Sequence, residues 1–366
     1  MRFSCPQKNL LNSISIVQKS VSSKSNLPIL KGIYLEATSG QLKLIGTDLE
    51  IGIESIIEAE VLQEGSIVID AKLFSEIIRK LPDATVDISI EDDHQVLIKC
   101  ENSKFNILSQ SANDFPELPV VEEEQIYEIP QELFRNMIRQ TVFATSQDES
   151  RPILTGVLME IEEEKLNMVA LDGYRLALRR GKISADSSYK VVIPAKTLNE
   201  ISRIMNVDEE EPIKIALTEN HGLFTIGNTK LISRLLEGEF INYNQILPKE
   251  YKSRIKINTK NFLNSIERAS LLGREGKSNL VKFSVGDDKM VITSNSELGK
   301  VYEEIGIHLT GKDLEIAFNA KYFIEALKSI DDEEIYLDLT TNVSPGIIRS
   351  IHNDNFIYLV LPVRSH

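Results

Sequence analysis

A short pattern recurs three times along this 366-residue chain at nearly constant spacing. It reads Ala-Lys, three variable residues and Glu, at 71–77, 195–201 and 320–326, so the copies lie 124 and 125 residues apart. Residues 8–14 also match 260–266 at six of seven positions, and 27–32 match 151–156. A period this long exceeds the roughly 20–50 residues of a solenoid unit, so each copy is predicted to be a domain.

Each copy has the layout expected of an α+β domain with two helices and several antiparallel strands. In the first copy, Leu10, Ile14, Val17 and Val21 recur at helical spacing. A second helix is predicted over 71–81, with Leu73, Phe74, Ile77, Ile78 and Leu81 on one face, and Pro82 ends it. Predicted strands lie at 32–35, 41–45, 50–56, 85–90, 96–100 and 105–109. The expected domains are residues 1–121, 122–248 and 249–366.

Charge is distributed unevenly between the predicted helices and the rest of the chain. The net charge is −14, which taken alone argues against a nucleic-acid partner. Six helical windows nevertheless sum to +10, so the remaining residues carry −24. These windows are 7–24, 71–81, 130–143, 195–206, 259–277 and 320–330. Helices sharing one face of an assembly would form a basic surface that attracts phosphates without reading sequence.

The sequence contains no motif typical of a catalytic, cofactor-binding or metal-binding site. The segment Gly273–Ser278 ends in Gly-Lys-Ser, but only two residues separate its glycines where a phosphate-binding loop needs four. The five histidines are scattered without metal-ligand spacing. No apolar run approaches the length of a membrane span, and the first residues lack a signal-peptide pattern. Cys5 and Cys100 are too few for a disulfide framework, which favours a reducing, cytoplasmic location.

Several segments, in order along the whole chain, resemble the bacterial DNA polymerase III beta subunits, the sliding clamps. They are Leu27–Leu30, Gly46–Glu50, Asp114–Pro116, Arg151–Gly156, Asp172–Ala177, Gly238–Phe240 through Leu247–Pro248, and Tyr358–Arg364. The resemblance implies three clamp domains per chain and a head-to-tail homodimeric ring, with sheets outside and helices lining the hole. It also implies a non-enzymatic role: the ring encircles duplex DNA and tethers the polymerase.

The resemblance also implies partners and the residues that meet them. The partners would be the DNA polymerase III alpha subunit, a clamp loader, and other polymerases and repair proteins carrying Gln-Leu-x-Leu-Phe-like motifs. The implied peptide groove comprises Leu154, Gly173, Tyr174, Arg175, Leu176, Ile241, Ile246, Asn319, Tyr322, Val343, Val360, Leu361, Pro362, Val363 and Arg364. The implied DNA contacts are Lys24, Arg79, Lys196 and Arg203. The implied dimer contacts are Phe105, Ile107, Leu271, Leu272, Glu303 and Glu304.

Two other functions stay open at the level of sequence. One is an interaction adaptor that never encircles DNA. The other is a nucleotide-using enzyme built around Gly273–Ser278, which measurable ATP turnover dependent on Lys277 would reveal.

For the dimer, Glu303 and Glu304 are expected to pair across subunits with first-domain bases such as Arg79 or Lys80.

Overall fold

The computed structural model describes residues 1–22, 25–91, 95–185, 187–206, 210–248, 250–273 and 279–364. They form two compact units, Met1–Gln131 with Glu200–Leu235 and Glu132–Asn199 with Leu236–His366. Each unit packs helices against antiparallel sheets. The α+β class predicted from sequence is therefore confirmed.

The described residues contain six α-helices, two in each predicted repeat. They are α1 (Gln7–Val17), α2 (Ala71–Lys80), α3 (Gln131–Arg139), α4 (Ala195–Ile204), α5 (Thr259–Gly273) and α6 (Ala320–Lys328). All six fall inside the windows whose charge was summed.

Twenty-six strands accompany these helices in the described residues. The first repeat holds β1 (Arg2–Pro6), β2 (Gly32–Thr38), β3 (Gln41–Thr47), β4 (Ile51–Glu58), β5 (Glu60–Gln63), β6 (Gly65–Asp70), β7 (Thr85–Ile90), β8 (Gln95–Cys100) and β9 (Ser103–Leu108). The second holds β10 (Ile126–Ile129), β11 (Gly156–Glu162), β12 (Lys165–Leu171), β13 (Arg175–Lys182), β14 (Tyr189–Pro194), β15 (Ile213–Leu217), β16 (His221–Ile226) and β17 (Thr229–Arg234). The third holds β18 (Ser253–Asn258), β19 (Leu280–Gly286), β20 (Lys289–Ser296), β21 (Gly299–Gly306), β22 (His308–Gly311), β23 (Leu314–Asn319), β24 (Glu334–Leu339), β25 (Gly346–Ser350) and β26 (Phe356–Val360).

Two of the four sheets run across repeat boundaries. In the first unit an eight-stranded sheet joins first-repeat β4 to second-repeat β17, with Ile51 opposite Ser233. In the second unit a nine-stranded sheet joins β13 to third-repeat β26, with Arg175 opposite Val360. Pairing strands in this way removes exposed sheet edges inside the chain.

Within the described residues, the two smaller sheets end in strands that have no neighbour on one side. The first unit's five-stranded sheet has the order β5-β1-β7-β8-β9, so β5 and β9 are its edges. The second unit's four-stranded sheet has the order β21-β20-β19-β23, so β21 is an edge. The predicted dimer residues of these strands therefore lie on sheet edges.

In the first two helices, the apolar spacing of the sequence predicted most of the helical and buried positions, but not Val21 and Leu73. Leu10, Ile14 and Val17 are completely buried, as predicted. Val21 was predicted to continue α1, but the helix ends at Val17 because a 3₁₀ turn follows, with the Ser20 hydroxyl donating to the Val17 carbonyl. Leu73 was placed on the buried face of α2, yet it is 43% exposed because it lies at the margin of that face.

Both cysteines are buried small side chains in strands, as their sequence context suggested. Cys5 lies in β1 and Cys100 in β8, and neither forms a disulfide. Burial raises the pKa of the Cys5 thiol to about 12. A thiol so far from ionisation is a poor nucleophile, so Cys5 serves packing.

Candidate functional site

A tight turn at the start of β13 positions the most exposed aromatic side chain of the site. The Asp172 Oδ1 atom accepts hydrogen bonds from the backbone N–H groups of Tyr174 (2.9 Å) and Arg175 (3.1 Å). Gly173, between them, adopts φ +91°, a conformation that favours glycine. The turn presents Tyr174 with 62% of its surface exposed.

Arg175 forms the floor of the site and is almost completely buried. Its Nε donates to Asp172 Oδ2 at 2.9 Å, one Nη donates to the Phe143 carbonyl at 2.6 Å, and the other pairs with Glu325. Its guanidinium lies 4.6 Å from the centroid of the Tyr322 ring. Buried guanidinium groups require such partners, and here they come from two consecutive repeats.

The last described residues are held between strands of both repeats. The Leu361 N–H donates to the Tyr174 carbonyl at 2.8 Å, and the Val363 N–H donates to the Ala317 carbonyl at 2.8 Å. Val360, which precedes them in β26, is completely buried. Leu361 is thereby held beside Tyr174, and Val363 beside Ala317 of β23.

The apolar residues assigned to the groove are of two kinds: exposed ones, which we call the rim, and buried ones, which we call the base. Five large apolar side chains are between 38% and 63% exposed: Tyr174, Ile241, Ile246, Val343 and Leu361. The rings of Tyr174 and Tyr322 stack with centroids 6.4 Å apart. Exposed apolar groups gathered around ordered polar groups are typical of a protein-interaction site.

The predicted groove residues divide between this rim and the base. Leu154 and Leu176 are buried in one core cluster with Phe240 and Tyr243, so they shape the groove from below. Asn319 caps α6, because its Oδ1 accepts from the Lys321 N–H at 3.0 Å. Val343 lies in the β24–β25 loop, and Pro362 and Arg364 lie in the segment after β26.

Sequence reasoning missed the residues that hold Arg175 in place. Phe143, Asp172 and Glu325 were not assigned to the site, although all three contact the guanidinium. A signal existed for Glu325, because it is the glutamate of the thrice-repeated pattern, equivalent to Glu76 and Glu200.

Comparison with known proteins decides the family. Three models of the DNA polymerase III beta subunit match the chain in order: the N-terminal domain over residues 1–119, the central domain over 128–242 and the C-terminal domain over 244–364. The chain belongs to the DNA polymerase III beta subunit family, the bacterial sliding clamps. The resemblance seen in the sequence is confirmed.

Individual sliding clamps match over their full length. The chain is 41% identical over 379 residues to the beta sliding clamp of Bacillus subtilis (strain 168), and 39% identical over 381 residues to that of Halalkalibacterium halodurans, with 100% of each chain covered. The crystal structure of the Bacillus subtilis clamp matches with a TM-score of 0.97. That of the Pseudomonas aeruginosa beta subunit matches with 0.94 at 28% identity, again over 100% of both chains.

The residues that the sliding-clamp resemblance assigns to DNA lie on exposed helix positions where the structure describes them. Arg79 is on α2 and donates to the Ser75 hydroxyl at 3.1 Å. Lys196 is an exposed residue of α4. Arg203, also on α4, is 67% exposed and pairs with Glu200 at 2.7 Å. Lys24 lies outside the described residues.

The residues that the resemblance assigns to the clamp dimer lie on free edges and one helix end. Phe105 and Ile107 are on the edge strand β9, and Phe105 is 36% exposed. Leu271, near the end of α5, is 62% exposed, whereas Leu272 is half-buried.

The two glutamates assigned to the clamp dimer have partners within the chain. Glu303 accepts from Arg268 Nε at 2.9 Å, and Glu304 accepts from the Tyr302 hydroxyl at 2.8 Å. These contacts use side chains of the third repeat. Pairing of the glutamates with Arg79 or Lys80 of a second subunit stays a prediction.

The described residues hold neither a metal-ligand cluster nor a membrane-spanning helix. In the described ranges, no three His, Cys, Asp or Glu side chains are grouped as for a metal ion. None of the helices in the described part of the chain has the length and apolarity needed to cross a membrane. The glycine-rich segment 273–278, the basis of the nucleotide-enzyme alternative, lies outside the described residues from Arg274 to Ser278.

Proposed function

We propose that two copies of this chain form a closed ring that encircles duplex DNA and holds a DNA polymerase at its template. The observation that carries the proposal is the match of all three domains, in order and over the full length, to sliding clamps. We assign the domains to residues 1–121, 122–248 and 249–366. The protein itself needs no catalytic site for this role.

A ring of this kind works through topology, and the charge distribution suits it. A closed ring stays on DNA because it cannot fall off, so strong contacts are unnecessary and would prevent sliding. Helical windows that carry +10 in a chain of −14 provide weak attraction to phosphates. We assign this role to Lys24, Arg79, Lys196 and Arg203. A polymerase tethered to such a ring meets its primer end at a high effective concentration.

The groove around Tyr174 is the proposed docking site for partner peptides. Its exposed apolar side chains would contact the leucine and phenylalanine anchors of Gln-Leu-x-Leu-Phe-like motifs, and the backbone hydrogen bond from Leu361 to Tyr174 orders one side of the site. The proposed users are the polymerase III alpha subunit, the clamp loader, and other polymerases and repair proteins. Because they share one groove, they would exchange by competition.

Retention on circular DNA tests the encircling role. The protein is loaded by a clamp loader onto nicked circular plasmid, washed, and then treated with a restriction enzyme that linearises the DNA. A ring should remain on the circle and slide off the linear ends. Equal retention on both forms would show ordinary binding and contradict the proposal. Absence of retention on both would favour an adaptor that never encircles DNA.

A double substitution tests the groove. Leu361→Ala with Val363→Ala removes apolar area from the predicted groove without changing the buried base, so a Gln-Leu-x-Leu-Phe peptide should bind at least about tenfold more weakly. The matched control is Leu62→Ala with Val120→Ala, which removes exposed aliphatic side chains outside the groove. Unchanged peptide affinity in the groove variant would show that the peptide docks elsewhere.

A further inference from the structure

A polar cavity lies in the second unit, between the segment around residues 248–254 and the strands β24 and β25. Its volume is about 330 Å³. Two arginines (Arg254 and Arg349) and three carboxylates (Glu250, Asp338 and Asp354) line it, together with Pro248, Tyr251, Thr340 and Ile347. The volume is at the lower end of the size range of small-ligand sites. The cavity lies entirely within the second unit and has a mainly polar lining.

One of its two arginines is fully committed to the fold. Arg254 makes a bidentate pair with Asp338, from Nε at 2.7 Å and from Nη at 2.8 Å, and Asp338 is only 5% exposed. The rings of Tyr251 and Tyr336 lie 4.0 Å and 4.6 Å from this guanidinium. The Asp338 charge is therefore already neutralised without the second arginine.

The second arginine, Arg349, has weaker partners. Its Nε lies 3.4 Å from Asp338, and one Nη lies 3.7 Å from Asp354, whose side chain is 80% exposed. Within the described residues its guanidinium makes ion-pair contacts at these distances but no hydrogen bond of ordinary length. A guanidinium that is 20% exposed and has donors to spare is suited to bind an added carboxylate in bidentate fashion.

Short stretches of chain connect this cavity to the proposed peptide groove at two points. Pro248 lines the cavity, and Ile246, two residues earlier, belongs to the groove. Thr340 lines the cavity, and Val343, three residues later, belongs to the groove. Two or three residues span about 7–10 Å, so a bound peptide could extend from one into the other.

We propose that the Arg349 cavity binds an acidic side chain, aspartate or glutamate, of the same partner peptide whose apolar anchors fill the groove. The proposal rests on the peptide-docking function and adds a charge preference to it. The incoming carboxylate takes the place of Asp354 beside Arg349, while the Arg254–Asp338 pair stays intact and supports the cavity.

Two peptides measure this preference. One carries Gln-Leu-x-Leu-Phe with glutamates on both flanks, and the other carries glutamines at those positions. Their affinities for the full-length protein are measured by calorimetry at low salt. The acidic peptide should bind about fivefold to tenfold more tightly, as expected for one charge-assisted hydrogen-bonded pair, and the ratio should fall as salt is added.

Three variants show whether Arg349 causes the preference. Arg349→Ala should reduce the affinity ratio to about one. Asp354→Asn removes the competing carboxylate and should increase the ratio. Lys256→Ala, which removes an exposed cation of β18 that pairs with Glu334 outside the cavity, should leave it unchanged. If Arg349→Ala does not fold, which its melting curve would reveal, the opposite effect of Asp354→Asn still tests the proposal.

The outcomes separate this proposal from the function on which it rests. If both peptides bind the wild-type protein equally, or if Arg349→Ala keeps the preference, the cavity assignment is wrong while peptide docking stands. If neither peptide binds, peptide docking and the cavity assignment fail together.

Discussion

Arg175 and Glu325 form an ion pair between consecutive repeats, directly beneath the rim of the proposed groove. Glu325 lies on α6, one turn after Tyr322. The same Arg175 guanidinium that pairs with Glu325 also lies over the ring of Tyr322. Arg175, the first residue of β13, thus connects this strand to helix α6 of the next repeat. The floor of the groove is therefore also a structural connection.

Replacing this arginine should destabilise the protein. Arg175→Ala leaves the nearly buried Asp172 carboxylate without its arginine and leaves Glu325 with only the more distant Lys321, which is expected to cost about 3 kcal/mol of unfolding free energy. Arg175→Lys should not restore it, because an ammonium cannot bond Asp172, Glu325 and the Phe143 carbonyl together. Thermal and urea unfolding measure the effect.

The control for this prediction is Arg203→Ala, whose side chain is 67% exposed. It should change the unfolding free energy by less than about 0.5 kcal/mol, because exposed ion pairs contribute little. Equal losses in the two variants would contradict the structural role given to Arg175.

Leu49 occupies a strained backbone position that its repeat equivalent fills with glycine. Leu49 has φ +76° and is 60% exposed, whereas Gly173, 124 residues later, has φ +91°. Because asparagine tolerates this region better than leucine, Leu49→Asn should stabilise the protein by about 1 kcal/mol. Calorimetry should show an upward shift of the melting temperature.

The reverse substitution makes a matched test of the same strain. A Cβ at Gly173 would meet nothing within 4 Å, so Gly173→Ala introduces backbone strain without a clash. It should destabilise by about 1 kcal/mol. A stabilising effect of Gly173→Ala would contradict the conformational argument at both positions.

The repeat made the domain architecture predictable, because a period of 124–125 residues and helical spacing are properties of the sequence itself. The contacts of Arg175 were not predictable in this way. Glu325 lies 150 residues away, and no local pattern indicates that strand β13 meets helix α6. The groove residues came from family resemblance, which transfers positions but not the hydrogen bonds that hold them.

Apolar spacing also mispredicted one helix end and one buried position, because specific local contacts determined both. Val21 has the correct spacing for α1, yet the 3₁₀ turn at Gln18–Ser20 ends the helix first. Leu73 is apolar, but its place at the margin of the α2 face leaves it exposed. Periodicity locates a helix well, whereas its ends and margins depend on a few specific contacts.

The ion pair between Glu303 and Arg268 should make stability depend on pH. The hydrogen bond from Arg268 lowers the pKa of Glu303 below its ordinary value of 4.5. The folded state therefore binds this proton less tightly than the unfolded state. The stabilisation is present above pH 4.5 and is lost as pH falls through the lowered pKa.

A double-mutant cycle measures that dependence. Glu303→Gln, Arg268→Gln and the double variant are melted at pH 6 and at steps down to pH 3. The coupling between the two positions should be favourable at pH 6 and disappear on acidification. Coupling that is constant across this range would show that the pair is not controlled by the ionisation of Glu303.

The predicted dimer contact places Phe105 of one subunit near Leu271 of the other. Phe105 lies on the free edge strand β9, and Leu271 is 62% exposed at the end of α5. An aspartate at either position would put an unpaired charge into an apolar interface, so Phe105→Asp or Leu271→Asp should weaken the dimer strongly. Light scattering should then give the 41.3 kDa of one chain, whereas the wild-type protein gives twice that mass.

Leu62→Asp is a matched control, because Leu62 is 61% exposed on β5, the opposite edge of the same sheet as β9. It should remain dimeric. If Leu62→Asp lost the dimer while both other variants kept it, the interface would lie on the β5 edge of the sheet and the prediction for β9 would be wrong.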